Sequence, residues 1–282
     1  MSEQPVVLIS GCSSGIGAAL AEEFHARGHK VYATARRPES LSALAERGLR
    51  TLALDVTDGD SIAAAAALVT QETGRLDMLV NNAGYGLYGA VVDLSADELR
   101  RQLDTNVIAP VQMARAFLPL MLPHKRGRIV NVGSVSGVLT TPFAGAYCAS
   151  KAALHALSDA MRMELAPFGI EVVTVQPGAV TSNIGATGSS NAALPADSMF
   201  APLAASIRDR AQISQQGAMP ARDFARQVVT AVLAGAAPVV VRGGPHSFRL
   251  PFLKRWVTTR VLDRKLSRMF GLDQLRRNAS GR

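Results

Sequence analysis

Residues 6–17 read Val-Val-Leu-Ile-Ser-Gly-Cys-Ser-Ser-Gly-Ile-Gly. Four consecutive apolar residues favour a strand that is buried on both faces, and the glycines that follow favour a tight turn into a helix. Glycine lets a backbone approach a ligand without a Cβ in the way, and the N-terminus of the next helix offers free N–H groups that suit a pyrophosphate. The spacing is Gly-x3-Gly-x-Gly rather than the commoner Gly-x-Gly-x-x-Gly, so the loop alone is weak evidence for a dinucleotide.

The rest of the chain repeats this alternation of strand and helix. Short β-branched runs predict strands at residues 6–10, 30–34, 51–54, 78–80, 128–132, 171–175 and 239–241. Longer stretches between them predict helices at 16–27, 40–47, 60–72, 97–122, 146–166 and 221–234. The pattern predicts an α/β fold, a single Rossmann-type domain over residues 1–241 with a doubly wound parallel sheet of about seven strands.

The second predicted strand indicates which cofactor the loop would hold. An NAD site usually has an acidic residue about 20 positions after the glycine loop, where it binds the ribose 2′-OH. Here the chain reads Ala33-Thr34-Ala35-Arg36-Arg37, with two arginines and no acid. A guanidinium can fork onto a 2′-phosphate, so Arg36 favours NADP(H) over NAD(H). The alternative is a pair of exposed arginines at the end of a loop.

Tyr147 and Lys151 carry the candidate chemistry. Their spacing of four places both side chains on one face of a predicted helix. A tyrosine has an ordinary pKa of about 10, and a neighbouring ammonium would lower it and make proton transfer feasible near neutral pH. By itself the pair is common on surface helices and decides nothing.

The landmarks taken together carry more weight than any one of them. The chain resembles the short-chain dehydrogenase/reductase family over residues 5–241, and within it the NADP(H)-preferring branch that acts on hydroxysteroids and retinol. Ser134 precedes Tyr147 by 13 residues, the usual spacing of that family. The matching motifs are the loop at 11–17, Asp55-Val56, Asn81-Asn82-Ala83-Gly84, Ser134, Tyr147-x3-Lys151 and Pro177-Gly178.

The resemblance implies four catalytic positions. Tyr147 would be the general acid in carbonyl reduction and the general base in alcohol oxidation. Ser134 would hold the substrate oxygen, and Lys151 would bind the nicotinamide ribose and lower the pKa of the tyrosine. Asn106 would anchor a water molecule in a proton relay to solvent.

The resemblance also implies a set of residues that contact NADP(H). Arg36 and Ser13 would meet the 2′-phosphate, and Ser182 would bind the carboxamide. The full set is Gly11, Ser13, Ser14, Gly15, Ile16, Gly17, Arg36, Asp55, Val56, Asn82, Ala83, Gly84, Tyr147, Lys151, Pro177, Gly178, Val180 and Ser182.

Some positions depart from the family pattern. The family often has threonine where this chain has Ser182, and a serine where it has Gly133. Ser136 is a rival for the role of Ser134, although the spacing favours Ser134. Cys148 is expected in the core rather than in the chemistry.

The formal charge of +8 is unevenly distributed along the 282 residues. Residues 1–241 hold 19 Lys/Arg and 20 Asp/Glu, whereas residues 242–282 hold 11 and 2. A nucleic-acid-binding domain would carry positive charge on its folded body, so no nucleic-acid partner is expected. The tail, residues 242–282, reads as an amphipathic basic helix that covers the substrate pocket, packs at a subunit interface, lies on an anionic membrane, or docks on its own domain with a solvated charged face.

Composition limits the remaining interpretations. Two cysteines and the lack of a ligand cluster predict neither disulfides nor a metal site. Without a signal peptide or a membrane-length apolar run, the chain is expected in the cytoplasm. Residues 183–220 are expected to form a lid over the substrate, with Leu194, Met199, Phe200, Leu203 and Ile207 lining the pocket or packing within a helix.

The sequence therefore predicts an NADP(H)-dependent oxidoreductase that acts on an apolar carbonyl or secondary alcohol. The alternatives are a 3-oxoacyl reductase that takes carrier-bound substrate, and a non-catalytic NADP(H)-binding regulatory protein. As the resemblance implies, the enzyme would be a homodimer or homotetramer with a small-molecule substrate.

Overall fold

The computed structural model of the protein describes residues 4–184, 194, 195 and 197–275. Its centre is a parallel sheet with the strand order β3-β2-β1-β4-β5-β6-β7, which confirms the predicted doubly wound fold. The strands are β1 (Val6–Ile9), β2 (Lys30–Ala35), β3 (Arg50–Ala53), β4 (Met78–Asn81), β5 (Gly127–Val132), β6 (Ile170–Pro177) and β7 (Val240–Gly243). The order reverses between β1 and β4, and the carboxyl ends of the strands on either side form the crevice where α/β sheets bind ligands.

Helices cover both faces of this sheet. They are α1 (Gly15–Ala26), α2 (Ser42–Glu46), α3 (Gly59–Thr73), α4 (Ala96–Leu103), α5 (Ala109–Phe117), α6 (Gly145–Leu165), α7 (Ala204–Gln212), α8 (Ala221–Val232), α9 (Arg249–Trp256) and α10 (Thr259–Met269). One buried cluster joins α1 and α8 to the sheet through Phe24 and Phe224. A second cluster joins α3 and α5 to the opposite face through Val69 and Phe117. Because both faces are covered, the central strands are apolar at nearly every position.

The helix predicted at 97–122 is interrupted. A π-helical turn at Asp104–Ile108 separates α4 from α5. Pro110 has no N–H to donate to the carbonyl of Asn106 four residues earlier, so the regular α-helical ladder cannot continue through this turn. The interruption places Asn106 at a bend, a position where such turns often serve a site.

The C-terminal region forms two helices where the sequence predicted one. Val257 is extended and Thr258 is the N-cap residue of α10, so the chain turns between α9 and α10. Phe270, just after α10, is buried together with Leu203, Ile207 and Phe143. The C-terminal helices are therefore packed onto the body through α7. None of the helices in the described ranges is long and apolar enough to cross a membrane.

Candidate active site

A cavity of about 1150 Å³ opens at the carboxyl ends of the strands. Its lining residues range from Gly11 to Phe270 in the sequence. Ser134, Tyr147 and Lys151 line the same cavity as the glycine loop. The predicted site residues that line it are Gly11, Ser13, Ser14, Gly15, Ile16, Gly17, Arg36, Asp55, Val56, Asn82, Ala83, Gly84, Ser134, Tyr147, Lys151, Pro177, Gly178, Val180 and Ser182.

The glycine loop is a close-packed cradle. A Cβ at Gly17 would overlap the carbonyl oxygen of Gly11, and a Cβ at Gly11 would lie 2.8 Å from the Cα of Ala83. Gly11 and Gly15 have φ values of 74° and 59°, a left-handed conformation that side chains disfavour. The N-cap residue Ser14 makes no side-chain capping bond to α1. The first N–H groups of that helix therefore remain available to an anion, and the loop fits a pyrophosphate.

The loop after β4 is tied to this cradle by hydrogen bonds. The Asn82 side chain donates to the carbonyl oxygens of Ser10 and Gly11 at 2.9 and 3.0 Å. The Ser10 hydroxyl in turn accepts the backbone N–H groups of Asn82 and Ala83, each at 3.0 Å. Ser10 was not among the predicted site residues, and it fixes the spacing between the two loops.

Arg36 and Asp55 lie at the end of the cavity formed by β2 and β3. Burial raises the pKa of Asp55, but hydrogen bonds from the N–H and hydroxyl of Thr57 and the charge of Arg36 outweigh it, so the net pKa is lowered. The Asp55 carboxylate accepts these two bonds at 2.9 and 2.7 Å. It is therefore ionised and engaged with Thr57, while the guanidinium of Arg36 is exposed at the cavity wall.

Tyr147 and Lys151 lie in the first two turns of α6, and both are buried. Burial, together with the neighbouring Tyr88, raises the pKa of Tyr147, and a hydrogen bond with Ser134 opposes that rise. Lys151 Nζ donates to the carbonyl oxygen of Val132 at 2.7 Å and lies 6.0 Å from the centroid of the Tyr147 ring. Burial lowers the pKa of Lys151 to about 8. In this arrangement burial outweighs the influences that lower the pKa of Tyr147, so its net pKa is raised.

Ser134 follows β5 and is the N-cap residue of a 3-10 turn at Val135–Gly137. Its Oγ accepts the N–H of Ser136 at 3.1 Å. The hydroxyl of Ser136, the rival candidate, also lies on the cavity wall. Cys148 does not line the cavity and is buried with Tyr88 and Ala144.

Asn106 lies behind the cavity wall rather than on it. Its side chain donates to the Tyr85 carbonyl oxygen and to Ser150 Oγ, both at 3.0 Å, and accepts the Tyr85 N–H at 3.2 Å. It therefore joins the loop after β4 to α6. A Cβ at Gly84 would lie 3.0 Å from Asn106 Oδ1 and 3.7 Å from Lys151 Nζ. The side chains of Asn106 and Lys151 therefore both lie close to Gly84.

His155 is a neighbour of the site that sequence reasoning missed. Its Nε2 accepts the backbone N–H of Ser134 at 3.4 Å. A side chain at Gly133 would overlap the His155 ring, which explains the glycine where the family often has serine. Burial, with the charge of Lys151, lowers the pKa of His155 to about 4, so the ring is neutral near pH 7. The departure at Gly133 was the only signal that a large side chain fills this space.

The five apolar residues of 183–220 that were expected either to line the pocket or to pack within a helix lie outside the cavity wall. Leu203 and Ile207 are buried in the core, and Met199 is exposed; neither these three nor Leu194 and Phe200 line the cavity. The residues of this segment that line the cavity include Ile184, Arg210 and Ile213. The C-terminal region adds further apolar side chains to the wall, from Leu250, Leu253, Leu262, Leu266, Met269 and Phe270.

Comparison with known proteins identifies the class that this fold and site define. The family model described as short chain dehydrogenase matches residues 5–193. The chain belongs to that family.

Particular relatives agree with this assignment. The chain is 42% identical to the short-chain dehydrogenase ptmH of Penicillium ochrochloron, over 87% of this chain and 91% of that protein. It is 41% identical to the NADPH-dependent 1-acyldihydroxyacetone phosphate reductase of Schizosaccharomyces pombe, over 72% and 70%. A solved short-chain dehydrogenase from Streptomyces avermitilis covers 99% of both chains with a TM-score of 0.79 and 33% identity. Other similar solved structures hold NADP+ or NAD. The protein is thus an oxidoreductase of this family, built to bind a nicotinamide cofactor and to act on CH–OH or C=O groups.

Proposed function

We propose that the protein uses NADP(H) to reduce an apolar carbonyl compound, or to oxidise the corresponding secondary alcohol. The observation that carries this proposal is the convergence of Ser134, Tyr147 and Lys151 with the glycine cradle on one cavity. The bound cofactor supplies or accepts the hydride. The chain itself has to position the carbonyl, supply a proton and stabilise charge on the oxygen.

Each of the three side chains has one task in this proposal. Ser134 donates a hydrogen bond to the substrate oxygen. Tyr147 gives that oxygen its proton, and because burial raises the pKa of Tyr147, the phenol is protonated before the reaction and suits the reductive direction. Lys151, which Val132 holds in place, supplies positive charge beside the phenolate left behind and binds ribose hydroxyls. Asn106 holds the loop and helix that carry these groups, and we assign it the proposed relay to solvent.

The test is Tyr147→Phe, with reduction of a panel of ketones and aldehydes followed by the absorbance of NADPH. Turnover should fall at least about 100-fold, since general acid catalysis contributes that much, while NADPH affinity stays within a factor of about two. The matched control is Tyr32→Phe, which removes another buried tyrosine hydroxyl, bonded to Glu72 far from the cavity. Near-normal turnover by Tyr147→Phe would remove the assigned acid.

Support for NADP(H) over NAD(H) comes from the second strand. Arg36 lies on the cavity wall, and the neighbouring carboxylate of Asp55 is already engaged with Thr57. A 2′-phosphate would find a guanidinium there, whereas a ribose 2′-OH would lack the usual free acid. The Schizosaccharomyces pombe relative is also named as NADPH-dependent.

We further propose that the enzyme docks on anionic membranes through α9. Phe248, Phe252 and Trp256 are 68%, 61% and 68% exposed and lie four residues apart, which places them on one side of the helix. The C-terminal helices also carry exposed basic residues, and the guanidinium of Arg255 lies 5.7 Å from the centroid of the Trp256 ring. The exposed basic residues are Arg249, Lys254, Arg255, Arg260, Arg264, Lys265 and Arg268. Aromatic residues with a basic rim suit the boundary between anionic headgroups and acyl chains.

Vesicle sedimentation tests the docking proposal. Phe252→Ser/Trp256→Ser should lose most binding to vesicles that contain phosphatidylserine, and the wild type should bind neutral vesicles more weakly. Phe168→Ser, which removes an aromatic residue that is 55% exposed elsewhere on the surface, is the control. Equal binding by all three proteins would exclude α9 as the docking element.

A homo-oligomer is proposed from a second exposed apolar surface. Ile108, Leu157 and Met163 are 48%, 37% and 63% exposed on the π turn and α6, the elements that carry Asn106 and Tyr147. Met163→Lys should shift the sedimentation coefficient to that of a smaller species. An unchanged coefficient would move the interface elsewhere.

A further inference from the structure

Arg210 of α7 is a buried cation at the substrate end of the cavity. Its side chain is only 7% exposed. The guanidinium lies close to two aromatic rings, 5.4 Å from the centroid of Tyr88 and 5.7 Å from that of Phe270. Its Nε and Nη2 both donate to the hydroxyl oxygen of Thr141, at 3.0 and 2.8 Å. The group is thus held in place by its contacts with two aromatic rings and by a pair of hydrogen bonds.

Within the part of the chain that the structure describes, this cation has no acidic partner. Among the described residues no ion pair involves Arg210. Among the undescribed residues 1–3, 185–193, 196 and 276–282, Glu3 is the one acidic side chain in the sequence. A guanidinium has five N–H donors, and Thr141 takes only two of them. A buried charge that has no counter-charge is costly, so a protein that keeps one usually brings it an anion.

The position of Arg210 relates it to the reacting atoms. Arg210 and Tyr147 line the same cavity. The ring of Tyr88 lies 6.1 Å from the ring of Tyr147 and 5.4 Å from the guanidinium, so Arg210 and the phenol share one neighbour. The charge of Arg210 also acts to lower the pKa of Tyr147, although burial outweighs it. An anion bound at Arg210 would therefore lie on the substrate side, near the carbonyl that is reduced.

We propose that Arg210 binds a carboxylate or phosphate group of the substrate. The substrate class is then an apolar carbonyl compound with an acidic end, its chain lying against the leucines of α9 and α10. This inference rests on the proposed oxidoreductase function and adds the charged end to it. A guanidinium suits the task because its planar fork matches two oxygens of either anion.

Binding without turnover gives the first test. Decanoate, decyl phosphate and decanol are titrated calorimetrically into the full-length protein. We expect one of the two anions to bind about 10- to 100-fold more tightly than decanol, the range for charge-assisted hydrogen bonds. The tighter anion identifies whether the site prefers carboxylate or phosphate. Equal affinity for all three probes would overturn the proposal.

Three variants distinguish an anion site from a structural role. Arg210→Met keeps an apolar chain beside the two rings and should lose the preference for the anion, with decanol affinity unchanged. Arg210→Lys keeps the positive charge without the planar guanidinium and should retain part of the preference for the anion. Arg208→Met, an exposed position on the same helix, should behave as the wild type. Retained preference in Arg210→Met, or an equal loss for anion and decanol, would overturn the proposal.

Turnover separates this proposal from the function on which it rests. We expect kcat/KM for 4-oxodecanoate to exceed that for its methyl ester, and Arg210→Met to remove the difference mainly through KM. Ester turnover without any preference for the acid would refute the anion site and leave the oxidoreductase function standing. If neither compound is turned over, the proposed function is in question, while the calorimetric titration still decides the anion site.

Discussion

Replacement of Gly133 by serine, the residue that the family often has there, should destabilise this protein. An added Cβ would lie 2.7 Å from His155 Cδ2, closer still to Nε2, and 3.1 Å from the carbonyl oxygen of Val175. The ring cannot yield freely, because its Nε2 accepts the N–H of Ser134 and it lies on buried α6. Overpacking of this kind costs about 1–3 kcal/mol, and loss of the hydrogen bond adds about 1 kcal/mol.

The expected total is therefore about 2–4 kcal/mol in the free energy of unfolding, or a fall of roughly 3–7 °C in Tm for a chain of this size. Activity should fall as well, because Ser134 follows the displaced residue directly. Thermal unfolding followed by circular dichroism, with NADPH-linked turnover, measures both effects. Gly235→Ser is the matched control, since nothing lies within 4 Å of a Cβ at that position.

A double-mutant cycle isolates the cause. His155→Ala alone should destabilise the protein, because it leaves a cavity and an unpaired Ser134 N–H. In Gly133→Ser/His155→Ala the ring is gone and the serine fits, so the double variant should be more stable than the sum of the single effects by about 1–2 kcal/mol. Strict additivity, or a Gly133→Ser variant as stable as Gly235→Ser, would show that His155 does not account for the glycine.

Three further perturbations test the site. Arg36→Ala should raise KM for NADPH about 10- to 100-fold with little effect on KM for NADH. The control is Arg37→Ala, which should change neither KM because Arg37 does not line the cavity. Equal effects of Arg36→Ala on both cofactors would contradict a 2′-phosphate contact. Gly17→Ala should abolish measurable NADPH binding by fluorescence titration, because its Cβ would overlap the Gly11 carbonyl oxygen, while Gly59→Ala, where no atom lies within 4 Å, should bind normally. Burial holds the pKa of His155 at about 4, below its unfolded value of about 6.5, so the unfolded state binds the extra proton. The free energy of unfolding should therefore fall by up to about 3 kcal/mol as the pH drops from 6.5 to 4. Urea unfolding of His155→Ala should lack this pH-dependent component.

The sheet and the core of the site could be predicted because local patterns determine them. A strand buried on both faces is apolar at nearly every position, as in Val6–Ile9, and parallel strands bring their carboxyl ends to one edge. Ser134 follows β5 and the glycine loop follows β1, so their meeting follows from the topology. Helical spacing placed Tyr147 and Lys151 on one face of α6, whereas their proposed roles came from the resemblance to the family.

The parts that could not be predicted depend on contacts between distant segments. The break between α4 and α5 was signalled locally by Pro110 and was missed because the apolar periodicity continues through it. Arg210 gave no signal at all, since Arg208 two residues away reads the same in sequence and is exposed. Leu203 and Ile207 were equally suited to a pocket wall and to a core. They lie in the core, where they pack with Phe270 from the distant C-terminal region.

The C-terminal helices carry the positive charge of the tail and also form part of the cavity wall. On α9, Leu250 and Leu253 face the cavity, while Phe252 and Trp256 are exposed on the other side. A short helix that is apolar on both sides requires two apolar environments, and packing within the chain supplies only the first. The proposed membrane contact supplies the second and gives the surrounding basic residues a counter-charge. An amphiphile with an acidic end, the substrate class proposed for Arg210, is a compound that resides at such a boundary. The docking face and the anion site are inferred from separate residues, and both favour an amphiphilic, acidic substrate.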